Sequence, residues 1–251
     1  MARKRTDWLQ IGSGKSYFHR VHRPLQCLVF IVPLLLFYQI GSVIFQPQIV
    51  GGATGEKSNW HVIAFLLMLR FFEFFGAAGN VLPLLAVIAI LLFWHLARKD
   101  PWDFEPGLYL GMGIESILWG IPFVVIGLAV FGWGREATSL DWKIETVLSV
   151  GAGVYEELLF RLIAINLLSM LFMDAFEVKP ALGIPLVILG SALLFAAYHL
   201  MGQETFDAGK FAFRTAMGVY LAGVYVYRGF GIAVGAHTVY DLLVMVVLHG
   251  K

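Results

Sequence analysis

Charge is the first scarcity. Only 14% of the 251 residues are Asp, Glu, Lys or Arg, against about 25% in a soluble globular domain. Hydrophobic residues reach 59% and the mean hydropathy is +0.78. A soluble domain is excluded, and the chain reads as an integral membrane protein. The formal net charge is +1, which excludes bulk attraction to nucleic acid. Cysteine is nearly missing: Cys27 alone excludes an internal disulfide framework and a cysteine-based zinc site. Lying in an apolar run, Cys27 is expected to be packed or lipid-facing. There is no sheet signal and no defensible internal repeat. Gly14-Lys15-Ser16 looks like the end of a phosphate-binding loop, but the position needing the first glycine holds Leu9, so that motif is excluded.

What is present is a succession of long apolar runs. Residues 1–23 are polar and basic, with Arg3, Lys4, Arg5, Lys15, Arg20 and Arg23 against Asp7. They read as a cytoplasmic tail under the positive-inside rule. Pro24 to Phe45 is long for a signal-peptide core and reads as an uncleaved anchor. Further helices are expected over 60–75, 81–97, 108–131, 143–173, 182–200, 211–227 and 232–248. The stretch 60–75 is short and carries Arg70 and Glu73, so it is a span or an interfacial hairpin arm. The expected fold is all-α, a polytopic transmembrane bundle of about eight helices. It divides into the tail, N-terminal helices over 24–106, and a C-terminal core over 107–251.

The chemistry concentrates in that core. Val154-Tyr155-Glu156-Glu157-Leu158-Leu159-Phe160-Arg161 places three charges inside an apolar helix. Each costs roughly 2.5–3.5 kcal/mol at membrane depth even on a lenient scale. Glu157 and Arg161, four apart, share a face and can pair. Glu156 is turned about 100° away and is the carboxylate left over. Two further helices carry Phe195-x-x-x-His199 and His237-x-x-x-Asp241, the latter pair again on one face. A structural salt-bridge cluster is the plain alternative for the first motif, and a hydrogen-bonded core group is the plain alternative for a lone histidine. Together, a carboxylate and an imidazole can hold a water and take its proton, while a second imidazole donates to an oxygen turning negative. No serine lies within the three motifs. One carboxylate and two histidines could equally hold Zn²⁺ with an open position, and residue types alone do not separate these two.

Glu-Glu-x-x-x-Arg, Phe-x-x-x-His and His-x-x-x-Asp, in this order over roughly residues 110–248, resemble the CAAX protease and bacteriocin-processing family. Its best-known branch is the Rce1-type prenyl-protein endopeptidase. The resemblance implies an eight-helix intramembrane glutamic protease that needs no cofactor and no metal. It assigns Glu156 and His199 to the attacking water, His237 and Asp241 to the oxyanion, and Glu157, Arg161 and Phe195 to supporting the site. The family's last position is Asn or Asp. An ionised Asp241 cannot donate to an oxyanion; it is either protonated, which burial favours, or it orients His237. The implied partners are a membrane-associated protein or peptide substrate and the bilayer, with a prokaryotic plasma (inner) membrane as the expected location and the N-terminus cytoplasmic.

Depth resists this picture. Counting up-and-down spans, Glu156 and His199 both lie about 25 Å from the 174–180 loop. His237 is only about six residues into the last span, nearer the opposite face. A single site requires the 211–227 helix to be tilted, broken or shallow. Two other classes compete with the protease: a non-enzymatic immunity or scaffold protein of the same fold, which has no need of Glu156, His199 and His237 together, and a proton-coupled transporter, against which the missing repeat counts.

Overall fold

The computed structural model describes residues 16–50, 62–131, 141–201 and 205–249, with the backbone alone for 46–50, 131 and 246–249. The basic tail through residue 15, most of the 46–59 loop and the polar stretch 132–140 fall outside the described residues. Among the described residues there are nine helices and no strand. They are α1 (Tyr17–Arg20), α2 (Pro24–Val50), α3 (Ile63–Phe74), α4 (Leu82–Arg98), α5 (Pro106–Phe131), α6 (Trp142–Ala175), α7 (Pro180–Met201), α8 (Ala208–Arg228) and α9 (Phe230–His249). The eight apolar runs expected from the sequence are α2 to α9. Apolar runs become helices here because lipid offers no hydrogen bond to a backbone group, so each must be satisfied within its own segment.

Four of these helices are long and apolar enough to cross a membrane: Pro24–Phe45 within α2, Pro106–Val130 within α5, α6 and α7. The protein is an integral membrane protein. Leu82–Arg98 and Phe230–Met245 are shorter apolar helices. α3 has 12 residues, or about 18 Å, too short for a hydrocarbon core of about 30 Å. α6, at 34 residues, runs to about 50 Å and overhangs it.

Polar residues mark the helix starts. Asp141 accepts from the Lys143 amide at 2.9 Å and Asp207 from the Lys210 amide at 2.7 Å, each satisfying a first-turn N–H with no intrahelical partner. Pro180 opens α7, where its missing N–H costs nothing. Gly229 joins α8 to α9 with φ 90°, a left-handed value that a side chain resists. A Cβ there would also press on the Val21 carbonyl at 2.9 Å.

α6 is the axis of the bundle, with α2, α3, α7 and α9 packed around it. Tyr38 of α2, Phe65 of α3 and Tyr155 of α6 meet edge to face at 5.2–5.3 Å. The start of α2 is strapped down: Arg23, just before it, pairs with Asp103 at 3.0 Å, and Gln26 in its first turn donates to Asp103 at 2.7 Å. Glu115 accepts from Tyr17 at 2.8 Å, from Trp119 at 3.1 Å and from Arg228 at 2.7 Å. That carboxylate clamps α1, α5 and α8 together. Cys27 is buried and its thiol donates to the Val21 carbonyl at 3.3 Å. His95 is buried against Trp102 with ring centroids 4.4 Å apart.

Candidate active site

Of the paired carboxylates, Glu157 is fully buried and Glu156 is 7% exposed. Glu157 Oε2 lies 3.1 Å from Arg161 Nε, both side chains wholly inaccessible. The guanidinium carbon stands 4.5 Å from the Phe195 ring centroid, a cation–π arrangement strengthened by the full burial of Arg161. Arg161 Nη1 and Nη2 have no hydrogen-bond partner among the described residues. The buried charge therefore leans on Glu157 and on Phe195.

Glu157 has a second duty. Its Oε1 is 2.8 Å from His237 Nδ1. A carboxylate only accepts, so Nδ1 carries the proton, and the imidazole is fixed with Nε2 facing away. Nε2 lies 3.9 Å from Glu156 Oε2 and 3.6 Å from Asp241 Oδ2. Both exceed hydrogen-bond length, so the ring nitrogen faces two carboxylate oxygens at ion-pair distance. Glu156 Oε1 is held from the other side by the Tyr198 hydroxyl at 3.2 Å.

His199 closes α7 where the helix tightens over His199–Met201. Its Nδ1 is 2.8 Å from the Phe195 carbonyl. Since a carbonyl only accepts, Nδ1 is the donor, and in the neutral ring Nε2 is a proton acceptor. Phe195 touches both imidazoles, with centroids 4.9 Å from His199 and 5.9 Å from His237. The three motifs thus meet at one place, around the Phe195 ring. Asp241 stands at its edge with its side chain 26% exposed, more open than its apolar neighbours in sequence suggest.

The depth conflict has a structural answer. The Asn166 side-chain amide lies 3.3 Å from the Tyr225 hydroxyl, and Asn166 is nine residues, about 13 Å, short of Ala175. The turn from α8 into α9 therefore stands well inside the level of the α6–α7 turn. It is docked on Val21 and His22 instead. α9 begins deep enough that His237, early in it, reaches Glu157.

Close helix approach completes the fit. α9 crosses α6 at Gly153, where a Cβ would overlap the Thr238 hydroxyl and lie 2.9 Å from the Thr238 amide nitrogen. Only glycine lets the backbone bearing His237 come this near to the one bearing Glu156. From Leu158, midway through the motif, α6 widens into a π-helical stretch over Leu158–Ala164 that includes Arg161, a geometry often found at functional sites. Within it, the Phe160 carbonyl takes a second donor, the Ser191 hydroxyl at 2.6 Å. Sequence reasoning missed Tyr198 and Gly153. Adjacency to His199 and the small-residue run Gly151-Ala152-Gly153 are the only signals either leaves.

Residues 138–243 match the family described as type II CAAX prenyl endopeptidase, Rce1-like. That segment is Rce1-like. The match covers all three motifs and begins just before α6, so the Rce1-like stretch contains every member of the cluster. A protease activity goes with the Rce1-like family. No curated protein and no solved structure matches the chain. Among the described residues, no group of three or more His, Cys, Asp or Glu has a spacing that holds a metal ion.

Proposed function

We propose that the protein is an intramembrane glutamic endopeptidase that hydrolyses a peptide bond of a membrane-associated protein or peptide. The observation that carries this reading is the division of labour between two adjacent carboxylates. Glu157 is consumed by Arg161 and His237, while Glu156 keeps an oxygen 3.9 Å from His237 Nε2, beyond hydrogen-bond length. A structural ion-pair cluster needs the first carboxylate and not the second.

In this reading Glu156 takes a proton from a water that the acceptor nitrogen of His199 helps to hold. The hydroxide attacks the scissile carbonyl carbon, and the carbonyl electrons move onto oxygen. That oxyanion lies against His237, whose ring as the imidazolium donates Nε2–H, and against Asp241 acting as a protonated donor. Collapse of the tetrahedral species breaks the C–N bond, and Glu156 returns its proton to the leaving amine. Glu157 fixes the His237 ring, and Arg161 balances Glu157. No cofactor takes part. The basic residues before α2 support a cytoplasmic N-terminus, and we place the protein in a prokaryotic plasma membrane.

Comparative membrane proteomics of a wild-type and a Glu156→Ala strain tests the proposal. One or more membrane proteins or peptides accumulate uncut in the variant, and the purified wild-type protein cuts them. Both prenylated C-terminal peptides and unmodified membrane peptides belong in the probe set, because the family's description refers to prenyl substrates. Identical proteomes, with no cleavage by purified protein, would leave a scaffold of the same fold as the reading to adopt.

A further inference from the structure

We infer that Tyr198 is a positioning residue for Glu156, its hydroxyl set in one direction by the first turn of α3. This rests on the reading of Glu156 as the base. The Tyr198 hydroxyl makes two contacts: it lies 2.8 Å from the Ala64 amide nitrogen and 3.2 Å from Glu156 Oε1. A backbone N–H can only donate, so the tyrosine oxygen accepts there, and its own proton is left for the carboxylate. Ala64 is the second residue of α3, where an amide has no intrahelical acceptor. Nothing within the helix competes for it. Ala64 is fully buried and Tyr198 is 6% exposed, so water does not readily replace either bond.

The arrangement commits Glu156 Oε1 to the phenol and points Oε2 toward His237. Without that donor the carboxylate is free to rotate about its last torsion, which is broad and roughly two-fold, and the base loses its aim. The phenol ring itself is packed against Phe160 at 5.1 Å and His199 at 5.0 Å between centroids, contacts that a phenylalanine keeps. α3 is therefore a lever on the site although it contributes no side chain to it.

The test uses full-length protein in lipid nanodiscs and a membrane peptide that the wild type cleaves. Tyr198→Phe is expected to lower kcat about 10- to 100-fold, the effect of removing one hydrogen bond to a charged group, with KM unchanged. Ala64→Pro puts the ring Cδ in place of the amide hydrogen, in a turn that tolerates proline, so it removes the donor and displaces the Tyr198 oxygen, and is expected to lower kcat; Ala64→Gly keeps the amide and wild-type kcat. Infrared difference spectra supply a readout independent of turnover. The carboxyl band that vanishes in Glu156→Gln shifts in Tyr198→Phe and in Ala64→Pro, and stays in Ala64→Gly. A Glu156 band at its wild-type frequency in Tyr198→Phe, or a change in KM alone, overturns the inference. A band that shifts while the wild type shows no Glu156-dependent cleavage overturns the positioning role together with the proposed function, and leaves the hydrogen bond as a structural one.

Discussion

His237 Nδ1 and Glu157 Oε1 are 2.8 Å apart, on two helices, although the residues stand 80 positions apart in the chain. The same carboxylate meets Arg161 through its other oxygen. Glu157 is thus the shared anchor of α6 and α9, and its neighbour Glu156 is relieved of that task.

The two glutamates should therefore fail differently. Glu156→Gln is expected to abolish turnover while the protein stays folded and inserted. Glu157→Gln leaves Arg161 buried without a counter-charge, a loss of about 3–5 kcal/mol when one partner of a buried pair is removed. Activity and thermal stability in detergent, measured on both variants, check this. Equal losses of activity and of stability in the two would sink the division of roles.

Gly153 gives a second expectation. A methyl group there meets the Thr238 backbone, which cannot swing aside as a side-chain tip does. Gly153→Ala is expected to cost about 1–3 kcal/mol, as over-packing of a tight core does, and to remove activity by pushing His237 away from Glu156. Thermal melts and turnover of the variant, beside Gly223→Ala, where the added carbon meets nothing within 4 Å, provide the comparison. A Gly153→Ala protein with wild-type turnover would mean that the approach of α9 to α6 has slack.

Asp241 is tested by charge against donor capacity. Asn keeps an N–H to donate and a carbonyl to accept, so Asp241→Asn is expected to retain substantial activity and to flatten any loss at high pH that ionisation at 241 causes. Asp241→Leu is expected to lose about 10²–10³ in rate, the usual effect of removing one oxyanion donor. The pH–rate profiles of both variants decide it. An Asn variant as inactive as the Leu variant would show that the negative charge is required, and Asp241 would then be the group that orients His237.

Metal dependence separates the glutamic mechanism from a zinc one. Cleavage by purified protein is expected to survive strong chelation. Stoichiometric zinc by elemental analysis, with activity lost on chelation and regained on zinc addition, reverses the assignment.

The helical architecture was legible because lipid enforces it. A run such as Pro24 to Phe45 has no alternative to helix, and the eight runs all returned as helices. The Glu157–Arg161 pair followed from spacing along one helix. His237 was harder. Counting residues from the 174–180 turn assumes that all turns on one side share one level, and Tyr225 packing on Asn166 breaks that assumption. The second duty of Glu157 was invisible because it depends on a residue 80 positions away, on another helix. Tyr198 left no mark either: its role is set by a backbone amide of α3, and backbone amides carry no letter in a sequence.

α3 spans about 18 Å in hydrocarbon about 30 Å thick. One end is moored to Glu156 through Tyr198, and the other carries Phe71, Phe74 and Phe75 outward. A mismatch of this kind is met by local thinning of the bilayer, at fractions of a kcal/mol for each ångström. Where α3 lies among lipid, such thinning brings the aqueous boundary toward the end of the helix that holds Tyr198 against Glu156, and in the proposed hydrolysis the thickness of the host membrane then sets how far water must travel.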